Sequence, residues 1–136
     1  MKYIITGGLG FIGSHLYDTI KKTTKNKVLL IDNLYSGTTD NIKNLEKNDF
    51  VNMDIRDEKL IEYFDENDIV IHLAAISSLP ECQSNPVMCY DVNVNGTLNI
   101  LEICRKKKIL KIIFASTSAV YENNINFPVK ETDEVF

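Results

Sequence analysis

The stretch Thr6-Gly7-Gly8-Leu9-Gly10-Phe11-Ile12-Gly13 follows the short apolar run Tyr3-Ile4-Ile5 and opens a segment with helical spacing. A strand, a glycine-rich turn and a helix start in that order make a cradle for phosphate oxygens. Each glycine has a separate task. Gly7 permits the tight turn off the strand. Gly10 lets the backbone approach a pyrophosphate with no side chain in the way. Gly13 lets the helix pack closely. Phe11 and Ile12 stand at the helix start, where backbone N–H groups have no partner within the helix and face outward.

The pattern continues outward from that turn. Residues 2–6, 27–31, 49–53, 69–73 and 111–115 are short apolar runs. Helical spacing separates several of them: residues 11–24 place Ile12, Leu16 and Ile20 along one face. Residues 39–45 read as a short helix, and Asp57 as a cap for a helix carrying Leu60, Ile61 and Phe64. Asn85-Pro86 starts a long helix over residues 86–107. Residues 121–136 show no clear period. Unbroken apolar runs alternating with helices predict an α/β fold: a doubly wound Rossmann-type parallel sheet of about five strands, buried on both faces by helices. Ligands of such sheets bind beyond the carboxyl ends of the strands.

The polar residues fall at those ends. Asp32 closes the second run, 19 residues after Gly13. A carboxylate there accepts hydrogen bonds from the two ribose hydroxyls of an adenosine and repels a 2′-phosphate, which favours NAD over NADP. Asp54-Ile55 closes the third run, where Asp54 either meets an adenine edge or caps the next helix. His72-Leu73-Ala74-Ala75 closes the fourth. Small residues there let backbone lie against a cofactor, and His72 reads as structural. Ser116-Thr117-Ser118 closes the fifth, where hydroxyls face a nicotinamide and a substrate.

Composition narrows the function. The chain has 136 residues, 44% hydrophobic and 25% charged, with a net charge of −4. That length makes one domain over residues 1–136. The negative balance argues against nucleic acid as a partner. The basic residues Lys21, Lys22, Lys25 and Lys27, and the run from Arg105 to Lys108, fall at expected helix ends. No apolar stretch nears the ~20 residues of a membrane span, and none reads as a signal peptide, so the expectation is a cytoplasmic chain without membrane contact. Cys82, Cys89 and Cys104 are odd in number and lack CxxC spacing. They read as free thiols.

Taken together, these strings resemble the extended short-chain dehydrogenase/reductase family, in its NAD-dependent epimerase/dehydratase branch. The matching strings are TGGLGFIGSHL at 6–16, DNL at 32–34, DIRD at 54–57, HLAA at 72–75, NVNGT at 93–97 and STSAVY at 116–121. The pattern is most similar to UDP-glucose 4-epimerases and related nucleotide-sugar epimerases. The resemblance implies that Phe11 and Ile12 hold the pyrophosphate of NAD, and Asp32 and Asn33 the adenosine ribose. It gives Asp54 and Ile55 to the adenine, and Leu73, Ala74 and Ala75 to the nicotinamide side. It makes Thr117, four residues before Tyr121, the catalytic hydroxyl, with Ser116 beside the cofactor. The substrate it implies is a nucleotide sugar, oxidised transiently by NAD. Ser118-Ala119 replaces the Asp-Glu pair of the dehydratases, which favours an epimerase or a simple reductase.

Two departures qualify the resemblance. Glu122 stands where the family has glycine. The Tyr-x-x-x-Lys pair that supplies the family's base is missing beyond Tyr121. Tyr17 and Lys21 have that spacing, but they lie on the first helix, away from the expected sugar site. The expectation is therefore a cofactor domain without its carboxyl-terminal substrate domain, inactive alone. It is expected to self-associate through an open fifth-strand edge or the 86–107 helix. The alternatives are a stand-alone NAD-binding sensor or regulatory module without turnover, and a nucleotide-sugar dehydratase or reductase.

Overall fold

The computed structural model describes residues 1–135. The strands are β1 (Lys2–Thr6), β2 (Lys27–Asp32), β3 (Phe50–Asn52), β4 (Ile69–His72) and β5 (Lys111–Phe114). They form one sheet in the order β3-β2-β1-β4-β5, and every pairing is parallel. The winding leaves β1 toward β2 and β3, then returns to the other side of β1 for β4 and β5. The reversal puts a crevice at the carboxyl end of β1, beside the glycine turn.

Alternation along the strands builds two cores. Ile4, Leu29, Ile31 and Val70 face one side, where they meet Leu60, Phe64, Ile100 and Ile103. Ile5, Val28, Leu30 and Ile71 face the other, against Tyr17 and Ile20. Tyr17 and Ile20 lie on α1 (Phe11–Thr23), whose last turn carries Lys21 and Lys22 as the charge pattern predicts. This is the expected Rossmann-type α/β fold.

Several local expectations are corrected. β5 is exposed along all four residues, not buried on both faces. It is an edge strand, and Ile113 and Phe114 are 56% and 58% exposed. The helix expected over 39–45 shortens to a 3-10 turn, Thr39–Asn41, and the one after Asp57 is also 3-10, Glu58–Tyr63. Asp57 does cap the latter through the Lys59 N–H.

The long helix is made of three pieces: α3 (Pro86–Tyr90), a π-helical segment (Asp91–Gly96) and α4 (Thr97–Lys106). The Asn85 side chain caps α3 through the Met88 N–H, as the Asn-Pro pair predicts. Ahead of it lies α2 (Leu79–Ser84), capped by Ser78, which the apolar pattern did not reveal. Cys82 and Cys89 are not free: a disulfide joins them, with Cα atoms 5.2 Å apart. Only the short α2–α3 hairpin brings them together, and sequence spacing alone does not report such proximity. Cys104 is free and buried.

Candidate functional site

A cleft of about 390 Å³ opens along the carboxyl rim of the sheet. Gly7, Gly10, Phe11, Ile12 and Gly13 form its floor, and Asp32, Asn33, Asp54 and Ile55 one wall. Leu73, Ala74 and Ala75 form the opposite wall. Twelve of the expected site residues therefore share one cavity.

The glycine turn does what its composition requires. Gly7 sits at φ +65°, a conformation that favours glycine, and a Cβ there would meet the Ala74 nitrogen at 2.8 Å. A Cβ on Gly13 would lie 2.6 Å from the Gly7 carbonyl oxygen, so α1 packs on the turn itself. Gly10 meets only the Gly7 oxygen, at 3.3 Å, and otherwise opens to space. Gly10 is the N-cap of α1, with no side-chain cap and no acidic residue in the first turn. The N–H groups of Phe11 and Ile12 thus end in the cleft without a side-chain acceptor. A helix N-terminus of this kind suits an anion such as a pyrophosphate. These residues fit the expected dinucleotide.

Asp32 is 8% exposed. Its Oδ2 accepts the Leu9 N–H at 3.0 Å and its Oδ1 accepts the Leu34 N–H at 2.9 Å. It therefore ties the glycine turn to the loop after β2, where Leu34 is held at φ 61°. Each carboxylate oxygen keeps a second lone pair for a ligand hydroxyl. Asn33 donates to Asp54 at 2.9 Å. Asp54 also pairs with Arg56 at 2.7 Å, and Arg56 reaches Asp91 at 2.6 Å. The Arg56 guanidinium holds the Asp54 carboxyl down at about 2, so it stays ionised. Asp54 thus accepts from Asn33 and Arg56 while lining the cleft. The role of Arg56 is not legible in the sequence, because only folding brings Asp91 beside it.

His72 is structural, as expected, and its surroundings define its protonation. The N–H groups of Leu73 and Ala74 donate to Thr6 Oγ1 at 3.2 and 3.3 Å. Thr97 Oγ1 donates to the Asn93 carbonyl at 2.6 Å. With those protons placed, Thr6 donates to His72 Nδ1 (2.6 Å) and His72 Nε2 donates to Thr97 (3.0 Å). This chain uses a neutral imidazole, and burial lowers the pKa of His72 to about 4. It fixes the backbone of Leu73 and Ala74, which is the cleft wall.

The NVNGT string has a mechanical reading that sequence alone did not supply. Asn93 accepts from the Ile76 N–H at 2.8 Å and donates to the Ile76 carbonyl at 2.9 Å. Gly96 admits the Ile55 side chain, since a Cβ there would meet Ile55 Cδ1 at 2.5 Å. Thr97 ends the His72 chain. One helical turn thereby locks both walls of the cleft.

At β5 the cleft lining includes Ala115. Ser116 and Thr117 are exposed and follow it directly. The Thr117 hydroxyl accepts from the Ala119 N–H at 3.1 Å, capping a 3-10 turn, Ser118–Tyr121. Its own proton remains available to donate. Tyr17 and Lys21, the one Tyr-x-x-x-Lys spacing, are tied up elsewhere. Tyr17 is buried and donates to Asp49 at 2.8 Å; Lys21 bridges Glu46 and Asp49. Burial raises the Tyr17 phenol above its ordinary pKa, the wrong direction for a base. The lining also takes in Tyr35, Ser36, Ile76, Ser77, Met88 and Val92. Of these, Tyr35 is recoverable from sequence as a neighbour of Asp32. Among the described residues, no group of His, Cys, Asp and Glu side chains could hold a metal ion, and no helix is long and apolar enough to cross a membrane.

Known proteins share this fold and much of this sequence. A proposed UDP-glucose 4-epimerase of Methanocaldococcus jannaschii is 44% identical over 135 residues, covering 97% of this chain and 43% of that protein. The UDP-N-acetylglucosamine 4-epimerase of Methanobrevibacter ruminantium, solved with UDP-N-acetylmuramic acid, superposes with a TM-score of 0.87. It is 38% identical, covering 99% of this chain and 44% of that one. The UDP-glucose 4-epimerase of Thermus thermophilus, solved with NAD, gives a TM-score of 0.83 and 31% identity over 100% of this chain and 44% of that one. The chain thus spans less than half the length of each of these relatives. The model of the NAD dependent epimerase/dehydratase family matches residues 3–135, nearly everything the cleft is built from. With fold, glycine turn and sequence in agreement, the chain belongs to the NAD-dependent epimerase/dehydratase family.

Proposed function

We propose that this chain is the NAD-binding part of a nucleotide-sugar epimerase similar to UDP-glucose 4-epimerase. One observation carries the reading: the order of groups across the rim. From β3 to β5 the strand ends present Asp54, Asp32, the glycine turn, Leu73 with its neighbours, and Ala115 with Ser116 and Thr117. Adenine, ribose, pyrophosphate, nicotinamide and substrate follow the same order along a bound dinucleotide. Phe11 and Ile12 then bind the phosphates, and Asp32 with Asn33 the adenosine ribose. Asp54 and Ile55 bind the adenine. Leu73, Ala74, Ala75 and Ser116 flank the nicotinamide, and Thr117 hydrogen-bonds the sugar oxygen being oxidised.

Residues 1–136 act as one cofactor domain, and a polypeptide of these residues alone does not epimerise. Its one Tyr-x-x-x-Lys spacing, Tyr17 and Lys21, does not line the cleft and is tied to Asp49 instead. Lack of a general base costs roughly 10²–10⁴-fold in rate. The chain also self-associates. Val87, Tyr90, Val94, Leu98 and Leu101, spaced three or four residues apart, are 37–78% exposed along one helical stripe. Among the described residues β5 is an edge strand with Ile113 and Phe114 exposed, a second apolar surface.

Calorimetry with NAD and NADP tests the reading. NAD is expected to bind and NADP to bind more weakly, because Asp32 opposes a 2′-phosphate. No heat with NAD removes the proposal. A turnover assay with NAD and UDP-sugars is expected to give no rate. Light scattering that reports monomers at high concentration removes the self-association.

A further inference from the structure

One pair of nucleophilic side chains takes no part in the site as described. Cys82 on α2 and Cys89 on α3 are half-buried and joined, and their Cα separation of 5.2 Å is one a disulfide spans without backbone movement. They pack in the same core cluster as Ile76 and Met88, both of which line the cleft. The Ile76 carbonyl accepts from Asn93, and it stands 3.6 Å from the Cys82 sulfur and 4.0 Å from the Cys89 sulfur. Reduced thiols can donate to that carbonyl. A disulfide has no S–H, so Asn93 is then the remaining side-chain donor. The oxidation state of the pair therefore alters the bonding of a residue that lines the cleft.

A second contact extends this across the cleft. Glu81, the neighbour of Cys82, accepts a hydrogen bond from the Tyr35 hydroxyl. Tyr35 lines the opposite lip, in the loop after β2. The two lips are thus bridged through α2. That helix has six residues, none of them buried, so few packing contacts hold it. Among the described residues, the bond to α3, the hydrogen bond from Tyr35 and the packing of Cys82 on the core tie it to the rest of the chain.

We propose that Cys82 and Cys89 form a reversible thiol–disulfide clasp that sets how fast a dinucleotide leaves the cleft. The proposal rests on the cleft's reading as a dinucleotide site. The oxidant is a low-molecular-weight disulfide. One cysteine thiolate attacks a sulfur of that disulfide, breaks its S–S bond and releases one small thiolate. The second cysteine thiolate attacks the mixed disulfide and releases the other. The pair loses two electrons and two protons, and the small disulfide becomes two thiols. A dithiol reductant runs the exchange backward. Oxidised, α2 stays against α3, and Glu81 stays within reach of Tyr35. Reduced, α2 departs more often and the bridge opens with it. Cys104 does not compete, because it is buried and burial pushes its thiol up to about 11.

The test uses the chain after treatment with dithiothreitol or with oxidised glutathione. Alkylation and mass spectrometry are expected to count three free thiols when reduced and one when oxidised. Release of NADH, followed by its fluorescence after a chase with excess NAD, is expected to be about threefold to tenfold faster from the reduced form, the range set by one net hydrogen bond. The double variant C82S/C89S should release at the reduced rate under both treatments. Tyr35→Phe, with both cysteines in place, should release NADH at the faster, reduced-form rate under both treatments. Three free thiols after oxidation, or equal release from forms that mass spectrometry separates, overturns the clasp alone. No NADH binding in either form overturns the dinucleotide reading, and the clasp with it.

Discussion

Asp32 is the residue on which fold and site converge, and replacing it with alanine separates the two contributions. The carboxylate accepts the N–H groups of Leu9 and Leu34 at 3.0 and 2.9 Å. Leu9 is fully buried, and its N–H would lose a charged acceptor. A hydrogen bond to a charged group contributes about 1.5–3 kcal/mol. Leu34 is 40% exposed and can recover water, so its bond counts at roughly 0.5–1 kcal/mol. Asp32→Ala should therefore cost about 2–4 kcal/mol of stability, part of it regained as Leu34 relaxes from φ 61°. Urea unfolding should show a midpoint lower by roughly 1–2 M. If the same carboxylate also accepts the ribose hydroxyls, NAD affinity should fall by about 1.5–3 kcal/mol, or roughly 10- to 150-fold. Calorimetry below the unfolding midpoint measures that loss. The two readouts fail separately. Unchanged affinity with lost stability would place the ribose elsewhere and leave Asp32 as a loop clamp. Unchanged stability would refute the clamp, and with it the geometry of the loop after β2.

Three further outcomes follow from the same geometry. His72 is held neutral, with its pKa lowered from 6.5 to about 4, so the unfolded chain binds more protons between those values. Its contribution is complete above pH 6.5, is lost as pH falls toward 4, and amounts to about 3 kcal/mol at most; stability against urea across this window measures it. Gly13→Ala places a Cβ 2.6 Å from the Gly7 oxygen and should cost about 1–3 kcal/mol in a thermal melt while displacing the α1 N-terminus and weakening NAD. Arg56→Gln removes the guanidinium from Asp54, whose titration, followed by carboxyl carbon NMR, should move up from about 2 toward 3.8; an unmoved midpoint would refute the pairing.

Much of this protein is written locally. Each strand is a run of adjacent apolar residues, and a parallel sheet buried by helices needs little more than such runs at regular intervals. The strands accordingly lie within a residue or two of their expected bounds. The glycine turn is legible for the same reason. Positive φ at Gly7 and the missing Cβ at Gly13 are demands on single residues, and only glycine meets them. Asp32 and Asp54 are legible because a strand end is a fixed place on the rim.

Local chemistry thus sets the elements and the residues at their ends. Which distant groups meet is a property of the closed fold alone. Arg56 finds Asp91 35 residues away, and Tyr35 finds Glu81 46 residues away. Cys82 finds Cys89 only because α2 turns back on α3. The same holds for β5, whose apolar residues read as core until the strand order places them at an exposed edge. Apolar runs report how a strand is made, since that depends on neighbours in the chain. Burial and pairing depend on neighbours in space, and those exist only once the sheet has assembled around β1.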